Sequence, residues 1–135
     1  MPAAARKTDP VVAIDTHIVN VPAPTGTVPT PLPHPFSGQL QDDLSTDVKI
    51  NGLAAATVGS VAVNQPSHLP TPPGVSFVTP PSNRGTVDIG STTVHINGKD
   101  AARVGDPVRT CNDPTDLPVG SIVSGSPDVK IGPGP

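Results

Sequence analysis

Five side chains in this sequence have the chemistry to hold a transition metal: His17, His34, His68, His95 and Cys111. A closed tetrahedral site takes four ligands from cysteine, histidine and carboxylate, so three of the histidines with the lone cysteine would make a His3Cys set. Sixteen, thirty-three and forty-two residues lie between successive members of the series His17, His34, His68, Cys111. Spacing this long says little by itself, and a lone cysteine is otherwise a small buried residue. Nucleophile and base arrangements are missing from the sequence: there is no G-x-S-x-G elbow, no H-E-x-x-H and no glycine-rich loop opening a helix. All eleven acidic residues are Asp, so a zinc hydrolase would lack the Glu that commonly serves as its base. The expectation is a binding or mechanical protein and not an enzyme.

The elements that must gather these donors have little core to work with. Twenty Pro and thirteen Gly make up about a quarter of the 135 residues, and Phe36 and Phe77 are the only aromatics. Disorder is the competing reading for such a composition. Low charge and short Val/Ile/Leu runs of period two argue instead for strands. A thin core needs a staple, and a single cysteine cannot form an intrachain disulfide, so a metal or a partner chain is left. The net charge of −3 and the lack of a basic stripe argue against nucleic acid. No stretch is long and apolar enough to span a membrane. MPAAARKTDPV has basic residues but no apolar h-region, so synthesis in the cytoplasm without a Sec signal is expected.

Residues 1–10 read as a flexible lead-in, with one domain over 11–135. VVAI (11–14), HIVNV (17–21), DVKI (47–50), AATV (55–58), VAVN (61–64), TVDIG (86–90), TTVHI (92–96), AARV (101–104), SIVSG (121–125) and DVKIG (128–132) read as strands. Asn51-Gly52 and Asn97-Gly98 are hairpin turns that need positive φ. Three irregular excursions separate the strand-rich units. VPAPTGTVPTPLPHPFSG (21–38) is too proline-rich for a central strand and reads as an extended polyproline-like loop. QPSHLPTPPGVSFVTPPS (65–82) and CNDPTDLPVG (111–120) are the others. Proline breaks every long window, so no substantial helix is expected.

One phrase recurs. VKINGLAAATVGS (48–60) returns as VHINGKDAARVGD (94–106), and GSPDVKIG (125–132) echoes GSTTVHIN (90–97) and LSTDVKIN (44–51). Such units must pack on one another to bury their apolar faces, so a body with pseudo-threefold symmetry is expected. His95 falls where the other copies have Lys49 and Lys130 and is set aside as a solvated strand position. His34, His68 and Cys111 lie in the three excursions and His17 beside the first, so converging excursions would bring them together. Ala55-Ala56 and Ala101-Ala102 are expected where strands crowd the axis, with Arg103 pairing to Asp106 or Asp88.

The segment GSTTVHINGKDAARVGDPV (90–108) resembles the PAAR-repeat family, named for Pro-Ala-Ala-Arg, with Asp100 in the place of the proline. Ala54-Ala55-Ala56-Thr57 departs further, and the PAAAR at positions 2–6 lies outside the frame and reads as coincidence. The resemblance covers about residues 11–132. It implies an all-β fold, a small three-faced β-cone, and one structural zinc near its apex, with iron the alternative ion. His17, His34, His68 and Cys111 are the ligands it points to. It also implies a monomer that caps, one copy per trimer, a trimeric β-helical spike protein of the VgrG kind in type VI secretion or a phage-tail-like particle. Effector cargo and transient contact with a target membrane go with that role. A metal-stabilised adaptor or carrier for another secreted protein is the alternative.

Overall fold

The computed structural model describes residues 1–133, and those residues contain no helix. The strands are β1 (Pro10–Ala23), β2 (Gly26–Asp42), β3 (Lys49–Ile50), β4 (Leu53–Ala54), β5 (Val61–Asn64), β6 (Ser76–Phe77), β7 (Arg84–Val87), β8 (His95–Ile96), β9 (Lys99–Asp100), β10 (Pro107–Thr110) and β11 (Leu117–Ile122). Three antiparallel pairs, β1–β2, β5–β7 and β10–β11, stand side by side through β2–β5, β7–β10 and β11–β1 contacts. The six strands thus close on themselves and leave no open sheet edge at that level. Inside, Val11, Ala62 and Val108 from alternate strands pack in one core with their partners Ile122, Leu40 and Val87, all at most 1 % exposed. Small alternating side chains suffice because the barrel is narrow, which is why so few aromatics are needed.

VVAI and HIVNV are one continuous strand, and the first proline-rich excursion is its partner. This corrects the reading of 21–38 as a loop: β2 pairs with β1 in unbroken register from Pro10↔Gln39 to Ala23↔Gly26. Pro29, Pro31, Pro33 and Pro35 sit at alternate positions, so all four missing donors fall on one edge. The Leu40 amide donates toward the β1 side, to Asp9 O, and the Ser37 amide to Asn64 on the opposite side. The odd-numbered prolines therefore face away from β1, and β5 leaves that edge beyond Gly38. At about 3.3 Å per residue the β1–β2 ribbon is far longer than the other two pairs and rises well past them.

Below the barrel lies the repeat. Hairpins β3–β4 and β8–β9 turn at Asn51-Gly52 and Asn97-Gly98, all four with positive φ, as their sequence requires. The AATV and AARV runs are not extended strands: they make single bridges and then turn. The third copy is assembled from both ends of the sequence. Lys130 pairs with Ala3 as Lys49 pairs with Ala54 and His95 with Asp100. Residues 3–9 then follow the path of 54–60 and 100–106. PAAAR at 2–6 is thus a true copy of the motif, and residues 1–10 are not a loose lead-in: Ala4 and Ala5 are fully buried. Sequence comparison in chain order finds only its first half, because the copy runs over 126–132 and resumes at residue 3.

The three copies hold one another in a closed triangle. Ala5 N–H donates to Ala102 O, Ala102 N–H to Ala56 O, and Ala56 N–H to Ala5 O, each at 3.0 Å. A second triangle runs from Lys7 to Ala54, Val58 to Asp100 and Val104 to Ala3, at 2.8–2.9 Å. Only a side chain as small as alanine fits where three backbones approach this closely. Ala4, Ala55 and Ala101 pack with Ile50, Ile96 and Ile131 in a separate threefold cluster at the base. In each copy a serine hydroxyl accepts the amide three residues on: Ser45 from Val48, Ser91 from Val94, Ser126 from Val129. Arg103 pairs with Asp106 at 2.9 Å, its copy Arg6 with Asp9 at 3.0 Å, and Asp88 goes to Arg109 instead.

The turn after each motif needs a left-handed residue. Gly59 and Gly105 take φ of 94° and 91°, but the third copy has Thr8 at 75°. A β-branched residue is strained there. Thr8→Gly is expected to raise stability by up to about 1 kcal/mol, the relief of strain exceeding the added chain entropy; urea unfolding would read it, and a loss of stability would show the turn to be unstrained.

Candidate metal centre

Alternation along β1 turns Val11, Ala13, Asp15, His17 and Val19 inward, and alternation along β2 does the same for His34, Phe36 and Leu40. Asp15 and His34 face each other across the ladder. The second excursion climbs beside the ribbon, where Val19 and Asn20 pair with β6, and carries His68 inward. The third brings Cys111, and its next residues clamp it to β1. Asn112 Oδ1 accepts the Thr16 amide at 2.6 Å, Asp113 Oδ2 the Ile18 amide at 2.8 Å, and Asp113 N–H donates to Thr16 O at 2.8 Å.

The result is a buried cluster above Phe36. One donor atom each from Asp15, His17, His68 and Cys111 lies within 4.8 Å of the others, and all four residues are buried. His34 packs against the same rings, its centroid 5.4 Å from that of His17 and 5.6 Å from that of His68. Its Nδ1 lies 2.8 Å from Leu32 O, and its Nε2 accepts the Thr71 amide at 3.1 Å. Of the residues singled out in the sequence, His17, His68 and Cys111 converge directly, with His34 alongside. His95 sits at the opposite end on β8, half exposed and 3.0 Å from Asp100. Asp15 was not singled out. Its position two residues before His17 on an alternating strand is the signal that would have found it.

These groups suit a borderline metal ion. Both ring nitrogens of His17 are buried without a hydrogen-bond partner, a cost of a kind a metal removes. Nδ1 lies 3.4 Å from Asp113 Oδ2, an ion-pair distance and not a formed hydrogen bond. Burial lowers the His34 pKa, partly offset by its bond to Leu32, which favours the neutral ring, whose Nε2 lone pair here takes the Thr71 amide. Burial, then the nearby Asp15 carboxylate, push the Cys111 thiol up to about 11. A thiol harder to ionise in the fold than in the free chain stabilises the fold fully below pH 9, and loses that contribution as pH rises toward 11. The metal-free protein is therefore expected to melt earlier as pH is raised through this window, and Cys111→Ala should abolish that slope in a thermal-melt series.

Asp15, His17, His68 and Cys111 could thus hold a metal ion. An open depression of about 500 Å³ between segments 79–82 and 111–116 reaches His17 and Cys111. No curated protein matches the chain. A family model described as PAAR motif matches residues 79–135, which span β7 to the C-terminal part-copy of the repeat. Residues 79–135 thus carry a PAAR motif, and the strand pairing lays further copies of its repeat around the same axis.

Proposed function

We propose that the protein is the conical tip of a contractile injection particle and caps its trimeric spike, one copy per three spike chains. The PAAR motif supports a spike-tip-type protein of secretion systems. The observation that carries the capping role is the base: one chain presents three similar walls, two hairpins and the paired segments at Ala3 and Lys130, around Ile50, Ile96 and Ile131. A closed threefold partner meets such a surface with the same contacts three times over. The opposite end suits entry into a membrane. Residues 18–33 and 69–81 contain no charged residue, and β6 ties the two segments together there. In this reading the protein is made in the cytoplasm and leaves at the head of the assembled particle, with any effector carried beside it.

The centre is structural in this proposal, a single zinc held by His17, His34, His68 and Cys111. His68 and His17 each have one nitrogen facing an acceptor, Asp15 and Asp113, which leaves the other for metal, while His34, with Nδ1 against Leu32 O, would give up the Thr71 amide at Nε2 to reach the ion. The ion would tie the ribbon to the second and third excursions, which a core this thin cannot do alone. Mixing the purified protein with a purified trimeric spike and measuring the mass of the complex tests the role. One copy per trimer is expected; one copy per spike chain would replace the tip by an adaptor. An X-ray absorption spectrum with a metal-bound water would point to a catalytic centre instead.

A further inference from the structure

Asp15 is fully buried, an expensive place for a carboxylate unless its oxygens are matched. Here they are matched by three donors while Cys111 keeps its proton, and by His68 and Thr110 once it is a thiolate. His68 Nε2 lies 2.8 Å from Oδ2, Cys111 Sγ 3.4 Å from Oδ2, and Thr110 Oγ1 2.5 Å from Oδ1. Thr110 is itself held by Asn112, whose Nδ2 donates to Thr110 O at 3.1 Å. We infer that Asp15 is a positioning residue of the metal centre: it orients His68 through Nε2 and supplies the negative charge that a buried ion with one thiolate leaves unbalanced. The inference rests on the metal centre proposed above.

A divalent ion with three neutral imidazoles and one thiolate carries one net positive charge, and Cys111 and His17 are buried to within 3 % of complete exclusion from water. An unpaired charge in such surroundings is strongly disfavoured. Asp15 brings the sum to zero. Its bond to His68 Nε2 also fixes which nitrogen keeps the proton, so that Nδ1 holds the lone pair, the usual arrangement of a carboxylate behind a ligating histidine. Thr110 holds the second oxygen and so keeps the carboxylate turned toward His68.

Asp15→Asn keeps the shape and removes the charge. A chelator competition is expected to show affinity for zinc lowered about 10–100-fold, while the absorption spectrum keeps three nitrogens and one sulfur. The metal-free variant should melt no lower than the metal-free parent, which a merely structural role would not allow. Thr110→Val provides a second variant, with a smaller loss of affinity in the same direction. Unchanged affinity in both variants would overturn the inference. So would a parent spectrum with an oxygen ligand that Asp15→Asn loses, since Asp15 would then be a ligand itself. A parent that binds no zinc at all would instead overturn the metal centre, and this inference with it.

Discussion

Replacing Cys111 by serine is expected to abolish stoichiometric zinc binding and to lower the melting temperature by roughly 10 °C or more. The substitution is nearly isosteric, and in the metal-free fold the thiol's polar neighbours are Asp15, at 3.4 Å, the Asn83 backbone and the Ser82 side chain, all of which a hydroxyl can also meet. Packing loss is therefore small, and almost the whole effect should be that of the missing ion. The control follows from the same logic. Parent protein stripped with chelator should melt where Cys111→Ser melts, and adding zinc should restore the parent alone. Binding closes the centre on residues from β1, β2 and two excursions, so the stabilisation belongs to the junction between ribbon and barrel. Equal zinc content and an unchanged melt in the variant would remove Cys111 from the centre.

Deleting residues 2–9 is expected to cost more still, on the order of the entire 5–15 kcal/mol that holds a small domain folded. The deletion takes away Ala4 and Ala5, both fully buried, and breaks both hydrogen-bond triangles. It leaves the amides of Ala56 and Val104 without their acceptors Ala5 O and Ala3 O, and buried unpaired amides are among the costliest defects a mutation can create. Arg6 also bridges Asp9 and Asn51. A loss of amide dispersion in a proton–nitrogen spectrum is the expected result. A shortened chain with a native-like spectrum would mean that the segment is an accessory, as loose terminal residues usually are.

The repeated hairpins were legible because Asn-Gly turns and alternating Val/Ile positions act locally, and β5 begins and ends where its four letters VAVN do. The absence of helix followed from proline spacing in the same way. Two features were not legible. The strand character of 26–42 depends on which edge its prolines face, a property of its partner and not of its own letters. The third copy is split: its letters at 126–132 line up with the other copies, but its second half sits at 3–9, where a comparison in chain order does not look for it. In the metal cluster, His17, His68 and Cys111 were marked by residue type. Asp15 was not, because eleven aspartates look alike until burial separates them.

The row of four prolines on β2 has a consequence for how such a protein can be stored and packed in numbers. A two-stranded ribbon standing clear of its barrel is ordinarily a template for cross-β growth, since any extended chain can dock on its rim. One rim of this ribbon is occupied by segments 75–78 and 111–113, which bond to Thr16, Ile18 and Asn20. The other offers carbonyls, with Pro33 O already taken by the Thr71 hydroxyl, but from Pro29 to Pro35 no amide hydrogens, so an incoming strand could satisfy at most half of its own groups there. Under the proposed function, a point that stays uncharged to meet lipid cannot use lysines to stay soluble; proline gives it the same protection without charge.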